Sequence, residues 1–207
     1  MKHNKSIIVL SLLLTILINI ASGTGLSVPH FYKAETSNWQ AQAIVQDAID
    51  LFLITPLLLL SAIAAYRNHK TALYVWGGII SYLLYTFLIY CFAVHFNHLF
   101  VVYCLTLGLS FYSFLDFIKT LFWQSLSVHK NGWQRTKTIA VYFIITGIVF
   151  YSLWLTDILP ANIHNTTPAS LIAMGLLTNP VQVIDLSVFL PGIIAMGILM
   201  LRKTYWL

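Results

Sequence analysis

Residues 45–56, VQDAIDLFLITP, decide the fold, because they place two carboxylates at the start of an otherwise apolar helix. Those acids are Asp47 and Asp50, and a proline follows them in mid-helix. Residues 181–191, VQVIDLSVFLP, repeat this sequence pattern, since each copy has Ile-Asp-Leu followed by four residues and a proline. The echo indicates either an internal duplication or a chance likeness of two apolar segments.

The two copies place their acids at one depth. Asp50 lies seventeen residues before Arg67, and Asp185 lies seventeen residues before Arg202. At 1.5 Å per residue, each acid lies roughly 25 Å from the basic end of its helix, within a hydrocarbon core about 30 Å thick. The spacing therefore predicts acids just inside one face of a membrane.

The composition is that of a polytopic membrane protein. Of 207 residues, 59% are hydrophobic and 8% are charged, whereas soluble domains carry about 25% charged residues. Six apolar segments approach the roughly 20 residues that a spanning helix needs; they are 7–23, 43–66, 72–94, 98–118, 138–157 and 181–201. We expect an all-α bundle of six spanning helices forming one transmembrane domain over residues 1–207, with a short interfacial or re-entrant helix near 168–177.

The basic residues predict the orientation. With both termini in the cytoplasm, ten of the eleven fall on the cytoplasmic side: Lys2, Lys5, Arg67, Lys70, Lys119, Lys130, Arg135, Lys137, Arg202 and Lys203. Only Lys33 is outside, which is the bias of the positive-inside rule and suits a bacterial inner membrane. A cleavable signal peptide ending near Ala21 remains an alternative for the first segment. The net charge of +5 follows from this topology, so the pattern does not ask for nucleic acid.

Four of the six acidic residues fall near the outer face: Asp47, Asp50, Asp157 and Asp185. An unpaired carboxylate in hydrocarbon is costly, so we expect these acids to face an outward-open polar pocket. Neighbouring carboxylates repel each other, and one of them would hold a proton or a cation. The structural alternative is that they cap helix N-termini or bond backbone groups that Pro56 and Pro191 leave free.

Other polar residues share the predicted pocket. Gln46 lies one turn before Asp50 on the same helix face. The residues expected to orient a ligand beside Asp47, Asp50 and Asp185 are Gln46, Gln182, Tyr85 and Asn97.

Hydroxyls and one acid make a stripe down the fourth segment, at steps of three and four residues: Thr106, Ser110, Ser113 and Asp116. One interpretation is a proton or ion conduit from the outer acids to Asp116. The other, which we favour, is helix packing by the hydroxyls, with Asp116 paired to Lys119.

Metal and thiol chemistry have weaker signals. His95 and His98 are spaced by two residues in an outer turn, where they are candidate metal ligands. Cys91 and Cys104 flank the same turn, without the spacing of a redox motif, so two small buried residues are the favoured interpretation. No cofactor is predicted.

Several of these motifs together resemble a family of multi-spanning bacterial integral membrane proteins with no assigned activity. The resemblance rests on Gln46-Asp47 through Pro56-Leu57-Leu58, Tyr82-Leu83-Leu84-Tyr85, Tyr90, Phe92, Phe96-Asn97, Leu99-Phe100, Tyr103, Leu109-Ser110, Asn179-Pro180-Val181 and Asp185-Leu186 to Pro191. It covers most of the chain and departs at Val45 and Thr86, where the family implies Gly and Asn. The resemblance implies six helices and adds no chemistry.

The leading hypothesis is an outward-facing acidic pocket that binds or transports a small cation, a proton-coupled solute or an amphiphile, with membrane lipids as partners. One alternative is an intramembrane, metal-assisted hydrolase acting on lipid. It lacks the HExxH and GxSxG signatures. The other alternative is a non-catalytic subunit or assembly factor of a membrane complex.

Overall fold

The computed structural model describes residues 5–123 and 133–202. Over these ranges the chain forms helices joined by turns, without a strand. The helices are α1 Lys5–Ser27, α2 Ser37–Tyr66, α3 Lys70–Ala93, α4 Phe100–Trp123, α5 Trp133–Ile163, α6 Ala169–Met174 and α7 Pro180–Arg202. Six of these helices, all except α6, are long and apolar enough to cross a membrane. The predicted all-α class and the predicted number of long apolar helices are confirmed for this part of the chain.

The chain divides into two compact units, Met1–Ser125 and Leu126–Leu207. The first contains α1 to α4, and the second contains α5 to α7. The single domain expected from the sequence stays a prediction. Three basic residues used to predict the orientation, Lys2, Lys130 and Lys203, lie outside the described residues, as does the side chain of Arg135.

The first unit is a bundle in which α1 packs on α2 and α4, and α3 also packs on α2 and α4. Its core includes Leu14 of α1, Leu58 of α2, Trp76 and Phe87 of α3, and Tyr103 of α4. The Trp76 indole N–H donates to the Ser11 hydroxyl at 2.8 Å, which satisfies the polar edge of a buried tryptophan. This core fixes the spacing between α2 and α3, the helices that carry the acids and tyrosines described below.

Helix α2 begins at Ser37, six residues before the predicted start at 43. Its N-cap is Thr36, whose hydroxyl oxygen accepts the N–H of Trp39 at 3.4 Å. The Trp39 indole N–H donates to the Ala93 carbonyl at 3.0 Å, and this bond ties the start of α2 to the end of α3. With this cap, α2 begins in the polar residues that precede the apolar segment.

Both copies of the sequence echo contain a π-helical turn, Asp50–Ile54 in α2 and Asp185–Phe189 in α7. In each, the N–H of the residue after the turn, Thr55 or Leu190, donates to the carbonyl of the aspartate that begins it. A proline comes next in both copies; it has no N–H and its ring crowds the carbonyl four residues earlier. The wide turn accommodates that proline inside a long helix.

In the second unit, α5 and α7 pack closely through a glycine on each helix. A Cβ added at Gly147 would lie 2.4 Å from Ile194 Cγ1. A Cβ added at Gly197 would lie 2.7 Å from Ile144 Cγ1. Each glycine therefore receives an isoleucine of the other helix, as small residues do where long apolar helices meet.

Two boundaries in the second unit differ from the predictions. Helix α5 continues to Ile163, past the predicted end at 157, so Asp157 lies within a helix. The short helix predicted over 168–177 is α6, Ala169–Met174, and it ends at Gly175 in the left-handed conformation with φ 68°. Glycine adopts that conformation readily, so it stops the helix before the predicted end.

Candidate functional site

Asp47 is fully buried in the first unit, at 0% exposure, and it accepts hydrogen bonds from two tyrosines. The Tyr32 hydroxyl, from the connection between α1 and α2, donates to Oδ2 at 2.6 Å. The Tyr90 hydroxyl, from α3, donates to Oδ1 at 2.9 Å. This carboxyl group thus joins three parts of the first unit.

Asp50 is also at 0% exposure, and its two oxygens differ. Oδ1 accepts the Tyr82 hydroxyl at 2.7 Å and the Gln46 side-chain amide at 3.0 Å. The Gln46 amide also contacts the Tyr82 hydroxyl. Oδ2 is buried and has no hydrogen-bond partner among the described residues. One acceptor of this carboxyl group is therefore open to a further ligand.

Helix α1 makes room for Asp47 with a glycine. A Cβ added at Gly25 would lie 1.9 Å from Asp47 Oδ2 and 2.8 Å from the Tyr32 hydroxyl oxygen. No side chain fits in that space without moving the carboxyl group. Gly25 therefore forms one wall of the site, although the sequence offers no signal for it beyond a glycine near a helix end.

Asp47 and Asp50 have no basic partner in the described part of the chain. An ion pair there joins Glu35 to His95, and neither Asp47 nor Asp50 takes part in one. Hydroxyl and amide donors therefore surround the two carboxyl groups in place of opposite charge. Burying a carboxylate without a counter-charge is costly, and a proton or a small cation removes that cost.

Tyr32 is a hydrogen-bond donor in this site. Burial, and then the nearby Asp47 carboxyl group, raise the pKa of Tyr32 well above its ordinary value. Its hydroxyl accordingly keeps its proton at all ordinary pH values and donates to Asp47. The site predicted from the sequence does not include Tyr32, because residues in a connection between helices have no helical periodicity that would assign them to a face.

The connection that carries Tyr32 is held by Glu35. One carboxylate oxygen of Glu35 accepts the backbone N–H of His95 at 2.7 Å, and the other lies 2.9 Å from His95 Nδ1. The His98 ring packs edge-on against Phe31, with ring centroids 5.2 Å apart. Both predicted metal ligands thus contact this connection. The described residues contain no group of three or more His, Cys, Asp or Glu side chains arranged to hold a metal.

A cavity of about 260 Å³ lies next to the acids. It is lined by Gly25, Leu26, Val28, Pro29, His30, Phe31, Tyr32, Gln40 and Ile44. Gly25 and Tyr32 therefore touch both this cavity and Asp47, while the aspartates themselves are covered. Tyr32 is the side chain through which the cavity and the acid site meet.

Asp185 and Gln182 lie in the second unit, in a polar cluster of that unit. Asp185 Oδ2 accepts the indole N–H of Trp154 at 2.9 Å. The Gln182 amide donates to Asp157 Oδ2 at 3.2 Å, and the Ser170 hydroxyl donates to the same oxygen at 2.5 Å. Helices α5, α6 and α7 each contribute to this cluster. Asp157 is one of the acids expected to face the polar pocket, whereas Trp154 and Ser170 are not among the predicted site residues.

A tyrosine satisfies the backbone beside the second π-helical turn. The Tyr151 hydroxyl donates to the Leu186 carbonyl at 3.1 Å. Leu186 lies five residues before Pro191, which has no N–H to donate. The structural alternative predicts that the acids bond the backbone groups that the prolines leave free. In the structure, a tyrosine of α5 bonds one of these carbonyls.

The three hydroxyls of the stripe predicted on the fourth segment are buried in α4, and Asp116 is half-buried. The hydroxyls of Thr106 and Ser113 each donate to a carbonyl one turn earlier in the same helix, and Ser110 has no hydrogen-bond partner among the described residues. Asp116 Oδ2 accepts the Ser6 hydroxyl of α1 at 2.6 Å. Two of the three hydroxyls thus bond their own helix, and Asp116 ties α4 to α1.

The two remaining predicted residues lie outside the acid site. Asn97 donates to the His95 carbonyl at 3.0 Å and accepts the Leu99 N–H at 2.9 Å, so it shapes the turn between α3 and α4. Tyr85 is half-buried on α3, but the tyrosines of this helix that bond the aspartates are Tyr82 and Tyr90. Their signal in the sequence is that of buried tyrosines, which require a hydroxyl partner.

Comparisons with known proteins leave the family open. No family model matches the chain. No curated protein is significantly similar to it. No solved structure is significantly similar to it either. The resemblance to a bacterial membrane family accordingly stays a prediction.

Proposed function

We propose that this chain is an integral membrane protein whose helices α1 to α4 enclose a binding site for a proton or a small cation at Asp47 and Asp50. The observation that carries the proposal is Asp50 Oδ2, a buried carboxylate oxygen with no hydrogen-bond partner among the described residues. Buried polar atoms in folded proteins are nearly always paired, so this oxygen indicates a ligand.

The helix surfaces support the membrane location. Phe52 and Phe92 are each 74% exposed, and large apolar side chains are exposed along all six long helices. Soluble monomers rarely expose contiguous apolar patches of more than a few hundred Å². In lipid these surfaces face hydrocarbon, and the backbone groups are satisfied within the helices.

The charges around the acids support the kind of ligand. The side chains described above that donate to the two carboxyl groups are neutral: three tyrosine hydroxyls and one amide. Such donors stabilise a carboxylate but do not neutralise it. Ionisable side chains within membrane segments commonly hold a proton or an ion, and both are small enough for this closed site.

The cavity beside Tyr32 supports a route to the site. By the distribution of basic residues, the connection between α1 and α2 lies on the outer side of the membrane. A proton, a cation or the polar end of a solute would then reach Asp47 from outside, past Tyr32 and Gly25. The proposal includes transport of a solute or an amphiphile that is coupled to binding of the proton or cation. The lipid-hydrolase and complex-subunit alternatives stay predictions.

The test compares unfolding of the wild-type protein with Asp50→Asn in detergent, across pH and across concentrations of lithium, sodium and potassium. Asparagine keeps the side-chain shape and one acceptor but cannot carry the negative charge. A ligand of the folded state present at a hundred times its Kd stabilises by about 2.7 kcal/mol. We expect one of these conditions to stabilise the wild type and to have no such effect on Asp50→Asn.

Asp185→Asn is the matched control, because it makes the same change at the aspartate of the second copy. We expect it to keep the wild-type response. The proposal is contradicted if no condition stabilises the wild type, if Asp50→Asn responds as the wild type does, or if both variants lose the response equally.

A further inference from the structure

We propose that Cys91 and Cys104 form a reversible dithiol–disulfide pair that exchanges two electrons with a lipid-soluble quinone. The two Sγ atoms lie 4.0 Å apart, in contact across α3 and α4. Both residues are free cysteines, and neither contributes to the acid site. The inference rests on the membrane location proposed above and is independent of ion binding.

The hairpin between α3 and α4 holds the thiols at one level. Cys91 lies two residues before the end of α3 at Ala93, and Cys104 lies four residues after the start of α4 at Phe100. The turn between the helices is fixed by bonds from Glu35 to His95, described above. A disulfide requires an S–S distance of about 2.05 Å, so the two sulfurs must approach each other by about 2 Å from their 4.0 Å separation.

The thiols open onto an apolar groove of about 530 Å³. It is lined by Leu84, Leu88, Cys91, Phe92, Phe100, Cys104, Leu107, Gly108, Phe111 and Tyr112. Apart from the two thiols and the tyrosine hydroxyl, every side chain in this lining is apolar. An oxidant that reaches the sulfurs through this groove must therefore partition into lipid. The aromatic side chains supply faces against which a quinone ring can stack.

The electron balance of the reaction is complete with a quinone as oxidant. One thiol loses its proton and its sulfur adds to the quinone. The second thiolate then attacks that sulfur, forming the S–S bond and releasing the quinol. In total, two S–H bonds break, one S–S bond forms, and two electrons and two protons pass to the quinone oxygens. A quinol reducing the disulfide is the same reaction in reverse.

The test uses the full chain in detergent, reduced and freed of reductant, with decyl-ubiquinone as the oxidant. Thiols are counted on a denaturing gel after reaction with a maleimide polymer, and quinol formation is followed by absorbance. We expect the wild type to lose both thiols and to form one quinol per chain, with the thiols restored by a reductant. Cys91→Ser and Cys104→Ser should keep their remaining thiol and form no quinol.

A groove-filling variant separates access from reactivity. A Cβ added at Gly108 meets no atom within 4 Å, so Gly108→Phe should be tolerated while its ring occupies the groove. We expect Gly108→Phe to react more slowly with the quinone and at the wild-type rate with diamide, a small thiol oxidant. Oxidised glutathione, which is excluded from an apolar groove by its charges, should react more slowly than the quinone with the wild type.

Three results would overturn the proposal. The first is a wild type whose two thiols both survive the quinone, whether or not diamide oxidises them. The second is a quinone reaction that Gly108→Phe leaves unchanged. The third is oxidation by glutathione disulfide as fast as by the quinone. None of these results depends on whether Asp50 binds an ion, so failure here is distinguishable from failure of the proposed function.

Discussion

Gly25→Ala is the substitution that tests the acid site most directly. The added methyl carbon would lie 1.9 Å from Asp47 Oδ2 and 2.8 Å from the Tyr32 hydroxyl oxygen. The carboxyl group cannot stay where it is, and moving it breaks the 2.6 Å bond from Tyr32. The change therefore combines overpacking with the loss of a buried, strong hydrogen bond.

The magnitude follows from these two effects. Overpacking a filled interior costs about 1–3 kcal/mol, and a buried hydrogen bond to a charged group contributes about 1.5–3 kcal/mol. Alanine offsets part of this, because it is about 1 kcal/mol more favourable than glycine within a helix. We expect Gly25→Ala to lower the free energy of unfolding by about 2–4 kcal/mol.

Gly23→Ala is the matched control, since it lies in the same helix and a Cβ there meets no atom within 4 Å. It should leave stability unchanged or raise it by up to about 1 kcal/mol. Both variants are measured by urea unfolding in detergent, followed by tryptophan fluorescence. If Gly25→Ala is as stable as Gly23→Ala, the Asp47 carboxyl group does not lie against α1, and the closed site described here is refuted.

Two tyrosine substitutions test the remaining contacts by the same unfolding measurement. Tyr32→Phe removes the 2.6 Å donor to Asp47 and should destabilise by about 1–3 kcal/mol; no loss relative to Tyr74→Phe, an exposed tyrosine, would contradict the bond. Tyr151→Phe removes the donor to the Leu186 carbonyl and should destabilise by about 1–2 kcal/mol, and stability equal to the same control would contradict that role.

The helices were predictable because their length and apolar content are properties of local sequence. The start of α2 was missed because four of the six residues 37–42, SNWQAQ, are polar, and an apolar window does not include them. The signal was present in a different form, as a threonine N-cap at Thr36. The early end of α6 also has a signal in the sequence, which is Gly175. A glycine ends a helix only when its backbone adopts the left-handed conformation, and the sequence does not show that conformation.

The sequence singles out Asp47 and Asp50, but it does not identify their hydrogen-bond partners. Asp47 bonds Tyr32 and Tyr90, which lie fifteen residues before it and forty-three after it. Which tyrosine of α3 faces α2 depends on the rotation of that helix in the bundle. The packing around Trp76 sets that rotation, and the spacing of the tyrosines does not reveal it. The predicted site therefore includes Tyr85 of α3, whereas the hydrogen bonds from this helix to the aspartates come from Tyr82 and Tyr90.

The two copies of the Asp-Pro pattern show where local sequence stops determining chemistry. Both form the same wide turn, because proline removes the same backbone donor in each. Their surroundings differ: the Thr55 hydroxyl donates to the Asp50 carbonyl in the first copy, and the Tyr151 hydroxyl donates to the Leu186 carbonyl in the second. Only Asp50 combines complete burial with an open carboxylate oxygen among the described residues. The backbone is thus repeated, and the neighbouring helices give the two aspartates different surroundings.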